Sequence, residues 1–455
     1  MKKRIIERTI EAPAQALEYG VESGQKLAKK VPLGNYQPLK KARDYWYNLG
    51  PGLTTGASDD DPSGIATYSQ AGAQNGFGLL WTAAFTFPLM AVVQEMCARV
   101  GLVTGRGLAA NIRLHFGKKI LYFSSLLLFA ANTFNIGADI GAMANAVQLL
   151  VHINTTVLVI VSTIFILLMQ IFTPYSKYAR YLKWLALVLF AYILSAILAH
   201  PNWGEVARHA VTPHIYWSKN EFLLLTAVLG TTITPYLFFW QTSQEIDEAI
   251  AKGKVTIESR RGSSPQEMRN MRIDVWSGMF LSNLVMFFII AACASVLYTH
   301  GVTNITTASQ AAQALRPFAG AATYYLFALG IIGMGLLAIP VLAGSSAYAI
   351  SESLGKRQGL NSKLKQGYAF YGVIIISMLV GLALNFIGLN PIKALIYSAV
   401  ANGIVAPVIL VLIVLIARNK KTMGDWRNGK LSGFFGWILV ALMGLSGVAA
   451  IISLF

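Results

Sequence analysis

The stretch GPGLTTGASDDDPSGIATYSQAGA, residues 50–73, places three consecutive carboxylates, Asp59, Asp60 and Asp61, inside an otherwise apolar run. Asp61 is followed by Pro62, which has no backbone N–H to give a helix, and Gly56, Ser63 and Gly64 weaken the helix on either side. One continuous helix through this stretch is therefore excluded. What the break means depends on its surroundings. Of the 455 residues 55% are hydrophobic and only 13% are charged, against about 25% charged in a soluble domain. Apolar runs of about 20 residues recur along the whole chain, each long enough to cross a bilayer as a helix. A large soluble α/β enzyme has shorter apolar runs between amphipathic helices, so this is read as an all-α polytopic membrane protein. Irregular backbone at membrane depth is tolerated only where it is buried in protein or lines a cavity. Charged side chains there are costly and mark function.

Eleven spans are expected, at about 46–76, 78–102, 120–148, 155–174, 180–199, 221–250, 273–299, 319–353, 367–388, 391–417 and 433–455. Basic residues test that count. Of the 37 Lys and Arg, only Arg208, Lys219, Arg316 and Lys393 fall on the side reached after odd-numbered spans. The rest lie in the N-terminal tail or after even-numbered spans, which places the N-terminus in the cytoplasm and the C-terminus outside. The net charge of +17 is thereby explained by topology, with no nucleic-acid partner implied. Cys97 and Cys293 both fall in apolar spans, so no disulfide framework or thiolate metal site is indicated. No apolar signal region follows the basic Lys2, Lys3 and Arg4.

The sixth span carries a second interruption, LGTTITPYLFFWQTSQEIDE, residues 229–248, broken at Pro235. Two broken helices five spans apart predict two inverted five-helix repeats, the LeuT-type fold, with substrate held where the breaks face each other. The expected organisation is a cytosolic tail over 1–43, a first repeat over 44–200, a second over 219–418 and an eleventh span over 431–455. Pro340 and Pro407 are read as simple kinks.

At these residues the chain resembles the NRAMP family of divalent-metal transporters. Residues 50–73 resemble the family's first helix with its DPGN motif. Residues 94–112, QEMCARVGLVTGRGLAANI, resemble the end of the second helix and its continuation. Residues 229–243, LGTTITPYLFFWQTS, resemble the sixth helix with its MPH motif. The departures are informative. The quartet reads Asp61-Pro62-Ser63-Gly64, so the aspartate is kept and the asparagine is Gly64. The triplet reads Thr234-Pro235-Tyr236, so the methionine thioether is absent and the histidine is Tyr236. A second family histidine is replaced by Gln241, and the aspartate–glutamate pair of the third helix becomes Asp139 and Ala142.

A thioether favours softer ions, whereas magnesium takes oxygen and keeps several waters. Thr234 offers only oxygen, and Gly64 is expected to widen the site. The resemblance therefore implies uptake of a partly hydrated magnesium ion, with manganese also considered. This is closest to the NRAMP-related magnesium transporters. The substrate set is Asp61, Asp60, Asp59, Gly64, Thr231, Thr234, Tyr236 and Gln241, with Asp61 holding the ion most directly. Asp59 and Asp60 either add attracting charge or cap the second half-helix. Tyr236 is expected to fill space beside the break. Asp139, Glu245 and Asn402 are candidates for a vestibule or exit path. The alternative readings are Asp139 as a partner of Asn132 or Asn135, Glu245 as a partner of the basic loop 252–272, and Asn402 as a helix–helix contact, like Asn283. Glu95 lies one turn from Arg99, the spacing of an intrahelical ion pair.

The six histidines, at 115, 152, 200, 209, 214 and 300, all fall in loops or at span ends. No family-type proton relay is evident, and uncoupled uptake is expected. A membrane potential of 100 mV supplies about 4.6 kcal/mol for a dication. The chain is not read as an enzyme, needs no cofactor beyond its transported ion, and belongs in the plasma (cell inner) membrane. The rivals are a proton-coupled manganese or iron symporter and a small organic solute transporter on the same scaffold. The second is disfavoured because three aspartates repel a carboxylate.

Overall fold

The computed structural model describes residues 45, 49–173, 175–213, 218–303, 305, 308–360, 362, 364–388 and 391–454. Residues 1–49 and 50–455 form two separate units. The expected tail, 1–43, and the first three residues of the expected first span, 46–48, lie outside the described residues, as does His214.

Within residues 50–455 the described structure is helical throughout, without strands. The first half runs α1 (Pro51–Asp59), α2 (Pro62–Asn75), α3 (Trp81–Thr104), α4 (Leu108–Leu150) and α5 (Thr155–Phe172). It continues through α6 (Tyr175–Leu185) and a 3-10 turn into α7 (Phe190–Leu198), with a short α8 (Trp203–Val211) closing it. The second half runs α9 (Lys219–Thr232), α10 (Pro235–Ala251), α11 (Ile257–Arg260), α12 (Pro265–Cys293), α13 (Ala308–Ser353), α14 (Tyr368–Leu384) and α15 (Pro391–Arg418). The short α16 (Lys420–Met423) leads to α17 (Lys430–Leu454).

Among the described residues nine segments are long and apolar enough to cross a membrane. Two of the eleven expected spans fall short of that measure. The first is divided into helices of 9 and 14 residues, and the ninth, α14, has 17 residues.

The two halves use the same devices. Each begins with a helix interrupted just before a proline, at Asp60-Asp61 and at Ile233-Thr234. In each, the third long helix is entered through a glycine in the left-handed region, Gly117 (φ 83) in α4 and Gly320 (φ 82) in α13. A Cβ at either glycine would meet nothing within 4 Å, so backbone conformation and not crowding calls for glycine there. α4 and α13 pack along each other, fastened by Asn132 Nδ2 to the Leu342 carbonyl (3.2 Å) and Ser346 Oγ (3.0 Å).

The broken helices are gripped by close backbone approach, the usual means of tight association between helices in lipid. A Cβ on Gly56 of α1 would lie 2.2 Å from the Gly278 backbone of α12, and one on Gly101 of α3 would lie 2.6 Å from the Thr242 carbonyl of α10. The first helix of one half thus packs on the second helix of the other, and the reverse holds too. Asp274 of α12 adds a polar clamp. Its carboxylate accepts from the amides of Gly50 (2.8 Å), Gly52 (2.7 Å) and Leu53 (3.0 Å) at the N-terminus of α1. A carboxylate is favoured at that end of a helix. Asp274→Ala strips these amides of their partner and is expected to cost on the order of 3 kcal/mol, read as a lower melting midpoint of the purified protein. Gly278→Leu, which forces α1 off α12, is expected to lower it further.

Candidate functional site

The two breaks meet in the interior. Pro62 lacks the N–H that would bond the Ser58 carbonyl four residues back. The Tyr236 hydroxyl of α10 donates to that carbonyl instead (2.7 Å). From the other side, the Tyr68 hydroxyl of α2 shares a hydrogen bond with Thr232 Oγ1 at the end of α9 (3.0 Å). Tyr236 therefore does more than fill space: it repairs the first break from the second half-chain.

The three aspartates take different roles, and the capping role falls on a different one than the sequence suggests. Asp61, not Asp59 or Asp60, is the N-cap of α2. Its Oδ1 accepts from the Gly64 amide (2.7 Å) and the Ser63 hydroxyl (2.8 Å), and its Oδ2 accepts from Asn135 Nδ2 (2.8 Å). Asp139 of α4 joins the same helix end, taking the Ser63 amide (3.1 Å) while Asn135 Nδ2 also reaches its Oδ2 (3.0 Å). Of its two candidate partners Asp139 has Asn135, whereas Asn132 is turned to α13. Asp59 and Asp60 sit instead at the C-terminal end of α1. Asp59 Oδ2 accepts from Ser282 Oγ of α12 (2.7 Å), and its Oδ1 has no hydrogen-bond partner. Neither oxygen of Asp60 has one.

All three carboxylates, Thr231, Thr234, Tyr236 and Gln241 are fully buried. Thr231 Oγ1 and Thr234 Oγ1 are also without hydrogen-bond partners. Thr234 stands at the N-cap of α10 yet makes no capping bond. The widening expected at Gly64 is not found. A Cβ there would lie 3.0 Å from Thr231 Oγ1 and 3.3 Å from the Asp59 carbonyl, so the threonine hydroxyl takes the room a side chain would need. Among the described residues no three Asp, Glu, His or Cys groups converge to hold a metal ion. The three aspartates span the unwound turn between the half-helices, Asp59 ending α1, Asp60 capping it and Asp61 beginning α2.

Further along α10, Gln241 Nε2 donates to Glu245 Oε1 (2.9 Å) and leaves its own Oε1 unpartnered. Glu248 pairs with Lys252 (3.2 Å), while Asp247 accepts from the Tyr348 hydroxyl and the Leu360 amide. Asn402 of α15 is buried with both amide atoms unpartnered, on a helix packed against α2 and α9. Asn283 bonds Thr86 and the Met279 carbonyl, a helix–helix role. None of the described histidines is buried.

Sequence reasoning missed Ser282 and Asp274, and it did not foresee that Asn135, named there as a partner of Asp139, also bonds Asp61; an isolated polar residue in a span carries no periodic signal. It also missed Met286 of α12, whose sulfur accepts from Thr232 Oγ1 (3.7 Å). A thioether thus stands beside the second break, on the Thr232 side.

The segment 94–112 is a seam. Glu95 accepts from Arg272 (3.0 Å) and Trp276 (2.9 Å) of α12, beyond its pairing with Arg99 (3.5 Å). Arg99 reaches Asn428, and the Gly107 amide is bound by Glu352 of α13 (3.0 Å).

Residues 52–453 match the family described as natural resistance-associated macrophage protein-like. The chain belongs to this family. Among solved structures it is similar to the Eremococcus coleocola manganese transporter in complex with an aromatic bis-isothiourea substituted compound. The identity is 19%, the match covers 93% of this chain and 89% of that one, and the TM-score is 0.67. It is also similar to Mhp1, a nucleobase-cation-symport-1 family transporter, in a closed conformation with bromovinylhydantoin bound. Here the identity is 14%, the coverage 89% and 91%, and the TM-score 0.55. These likenesses establish the LeuT-type helical fold. This Nramp-family chain is a multi-pass membrane transporter and not an enzyme.

Asp61→Ala removes the α2 cap and leaves Asn135 short of a partner. It is expected to cost roughly 1–2 kcal/mol, and to speed amide hydrogen exchange at Gly64 and Ile65 more than elsewhere in α2.

Proposed function

We propose that this transporter carries divalent metal cations, with Mg2+ the preferred cargo and Mn2+ the second. The observation that carries the reading is the set of buried, unpartnered oxygens where the two breaks meet: Asp59 Oδ1, both oxygens of Asp60, Thr231 Oγ1 and Thr234 Oγ1. Leaving polar groups buried and unpaired is costly, and a hard cation satisfies several at once. Every member of the set is oxygen, the donor that magnesium takes. The carboxylates supply the charge, and hydroxyls and retained water complete the ion's shell. The buried, close-packed arrangement at Gly64 implies that the two halves part before a hydrated ion enters.

The Eremococcus coleocola manganese transporter supports the divalent-cation class. Met286 beside Thr232 favours the second reading, manganese or iron as cargo, since sulfur suits softer ions. The Thr232 hydroxyl donates to the Val228 carbonyl of its own helix (2.7 Å) with the sulfur farther off at 3.7 Å, and it is Thr234 that stands at the broken-helix position itself. We further propose transport without proton coupling, because no described histidine is buried beside the site and a dication gains from the membrane potential alone. The placement of Lys and Arg supports a plasma-membrane protein with its N-terminus in the cytoplasm.

Proteoliposomes containing the purified protein are expected to take up Mg2+ and, less well, Mn2+, with no change in lumenal pH. Thr234→Met is expected to shift the Mn2+:Mg2+ preference about tenfold toward Mn2+, a change of about 1.4 kcal/mol. Acidification that accompanies Mn2+ uptake moves the assignment to a proton-coupled symporter, and absence of flux for every dication removes metal transport altogether.

A further inference from the structure

We propose a second cation station on the cytosolic side of the central site, made by the Glu245 carboxylate and the Gln241 side-chain carbonyl of α10. It rests on the divalent-cation reading above and takes the same cargo, as the place where a dication pauses after leaving the breaks. Gln241 and Glu245 follow Thr234 by two and three helical turns, so all three share one face of α10. At the rise of an α-helix they stand about 10 Å and about 16 Å beyond Thr234, toward the end of the helix at Lys252. Accessibility grows in the same direction. Thr234 and Gln241 are fully buried, Glu245 is 7% exposed, and the side chain of Glu248, one turn further, is 37% exposed. A polar stripe therefore runs from the second break toward the surface. The polar residues on the neighbouring face are spent on structure: Gln244 donates to the Tyr348 hydroxyl (3.3 Å), which is itself bound to Asp247.

Free valence on this stripe points to a cation. A carboxylate only accepts hydrogen bonds, so the Gln241 amide must turn its nitrogen to Glu245 Oε1 (2.9 Å). That leaves Gln241 Oε1 buried and unpartnered. Among the described residues Gln241 is the only hydrogen-bond partner of Glu245, and Glu245 makes no ion pair. The basic loop expected to meet it is engaged elsewhere: Lys252 pairs with Glu248 (3.2 Å), Lys254 with Glu267 (2.7 Å) and Arg272 with Glu95 (3.0 Å). The charges that act on Glu245 are Asp274 of α12, Glu248 and Lys252, two acids against one lysine that is already paired. A buried acid with no basic partner in a membrane span marks function. Here it stands beside a free amide oxygen, and carboxylate and carbonyl oxygens are the donors a hard dication takes. Asp274, the clamp on α1, lies among its charged neighbours, and α1 packs on α10. The station is thus beside the helix whose contacts join the two halves.

The test counts Mn2+ bound to the full-length purified protein by equilibrium dialysis at saturating Mn2+, and measures Mn2+ flux into proteoliposomes alongside. The wild type is expected to hold two Mn2+ per chain and Glu245→Gln to hold one. Glu245→Gln keeps an oxygen to accept the Gln241 bond, so a merely structural role would leave both measurements unmoved. In flux, Glu245→Gln is expected to lower the maximal rate about five- to tenfold with KM within about twofold, because loading of the central site is untouched. Gln241→Leu, which removes the other donor, is expected to lose the same ion. A wild type that transports but binds a single Mn2+, or a Glu245→Gln variant that keeps both ions or the wild-type maximal rate, overturns the second station and leaves the transport reading standing. A wild type that neither binds nor moves a dication overturns both.

Discussion

In a bilayer no water is at hand to satisfy a broken helix, so every exposed N–H and C=O must find a partner within the protein. That constraint shapes the centre of this molecule. Breaking the first span creates a free helix C-terminus and a free helix N-terminus in the interior, and the chain answers each with a side chain. Tyr236 takes the carbonyl orphaned by Pro62, Asp61 and Asp139 take the amides of α2, and Asp274 holds the far end of α1. The partners of α1 come from α10 and α12, in the opposite half of the chain. The break is stable only because the second half is folded around it.

This dependence has a functional consequence. α1 is held to the other half by close backbone approach and by the Asp274 clamp. The backbone contacts of Gly56 on Gly278 and Gly101 on the Thr242 carbonyl leave no slack at the crossings, so relative movement is confined to rocking or tilting. That mode suits a transporter built from repeats that move around a central site. The seam formed by Glu95, Arg99 and Gly107 binds α3 and the start of α4 to α12, α13 and Asn428. It is a cross-brace between the repeats, which accounts for a long polar signature at the end of an apolar helix.

The site proposed for the cation is what the structural bonds leave over. Once the helix ends are satisfied, the oxygens left without partners include those of Asp59, Asp60, Thr231 and Thr234, with Asn135 Oδ1 and Gln241 Oε1. This differs from a preformed cage: no three acids converge among the described residues. A loosely provided, oxygen-rich surface is suited to an ion that is to be released again.

Much was legible in the sequence. Membrane class followed from composition, the repeat from two proline breaks five spans apart, and the family resemblance from residues 50–73, 94–112 and 229–243. These are one-dimensional signals, carried by backbone chemistry and by run length. The individual roles at the site were not legible. Three adjacent aspartates read alike in a string, yet Asp59 ends one helix and Asp61 begins the next, so the backbone dipoles treat them oppositely. Gly64 read as added space, but Thr231, 167 positions away, fills it. Ser282 and Asp274 gave no signal at all. The sequence by itself determined where the helices must break. Only the tertiary structure decided which polar groups the breaks consume and which remain for a substrate, because those partners are brought together by packing across the two halves.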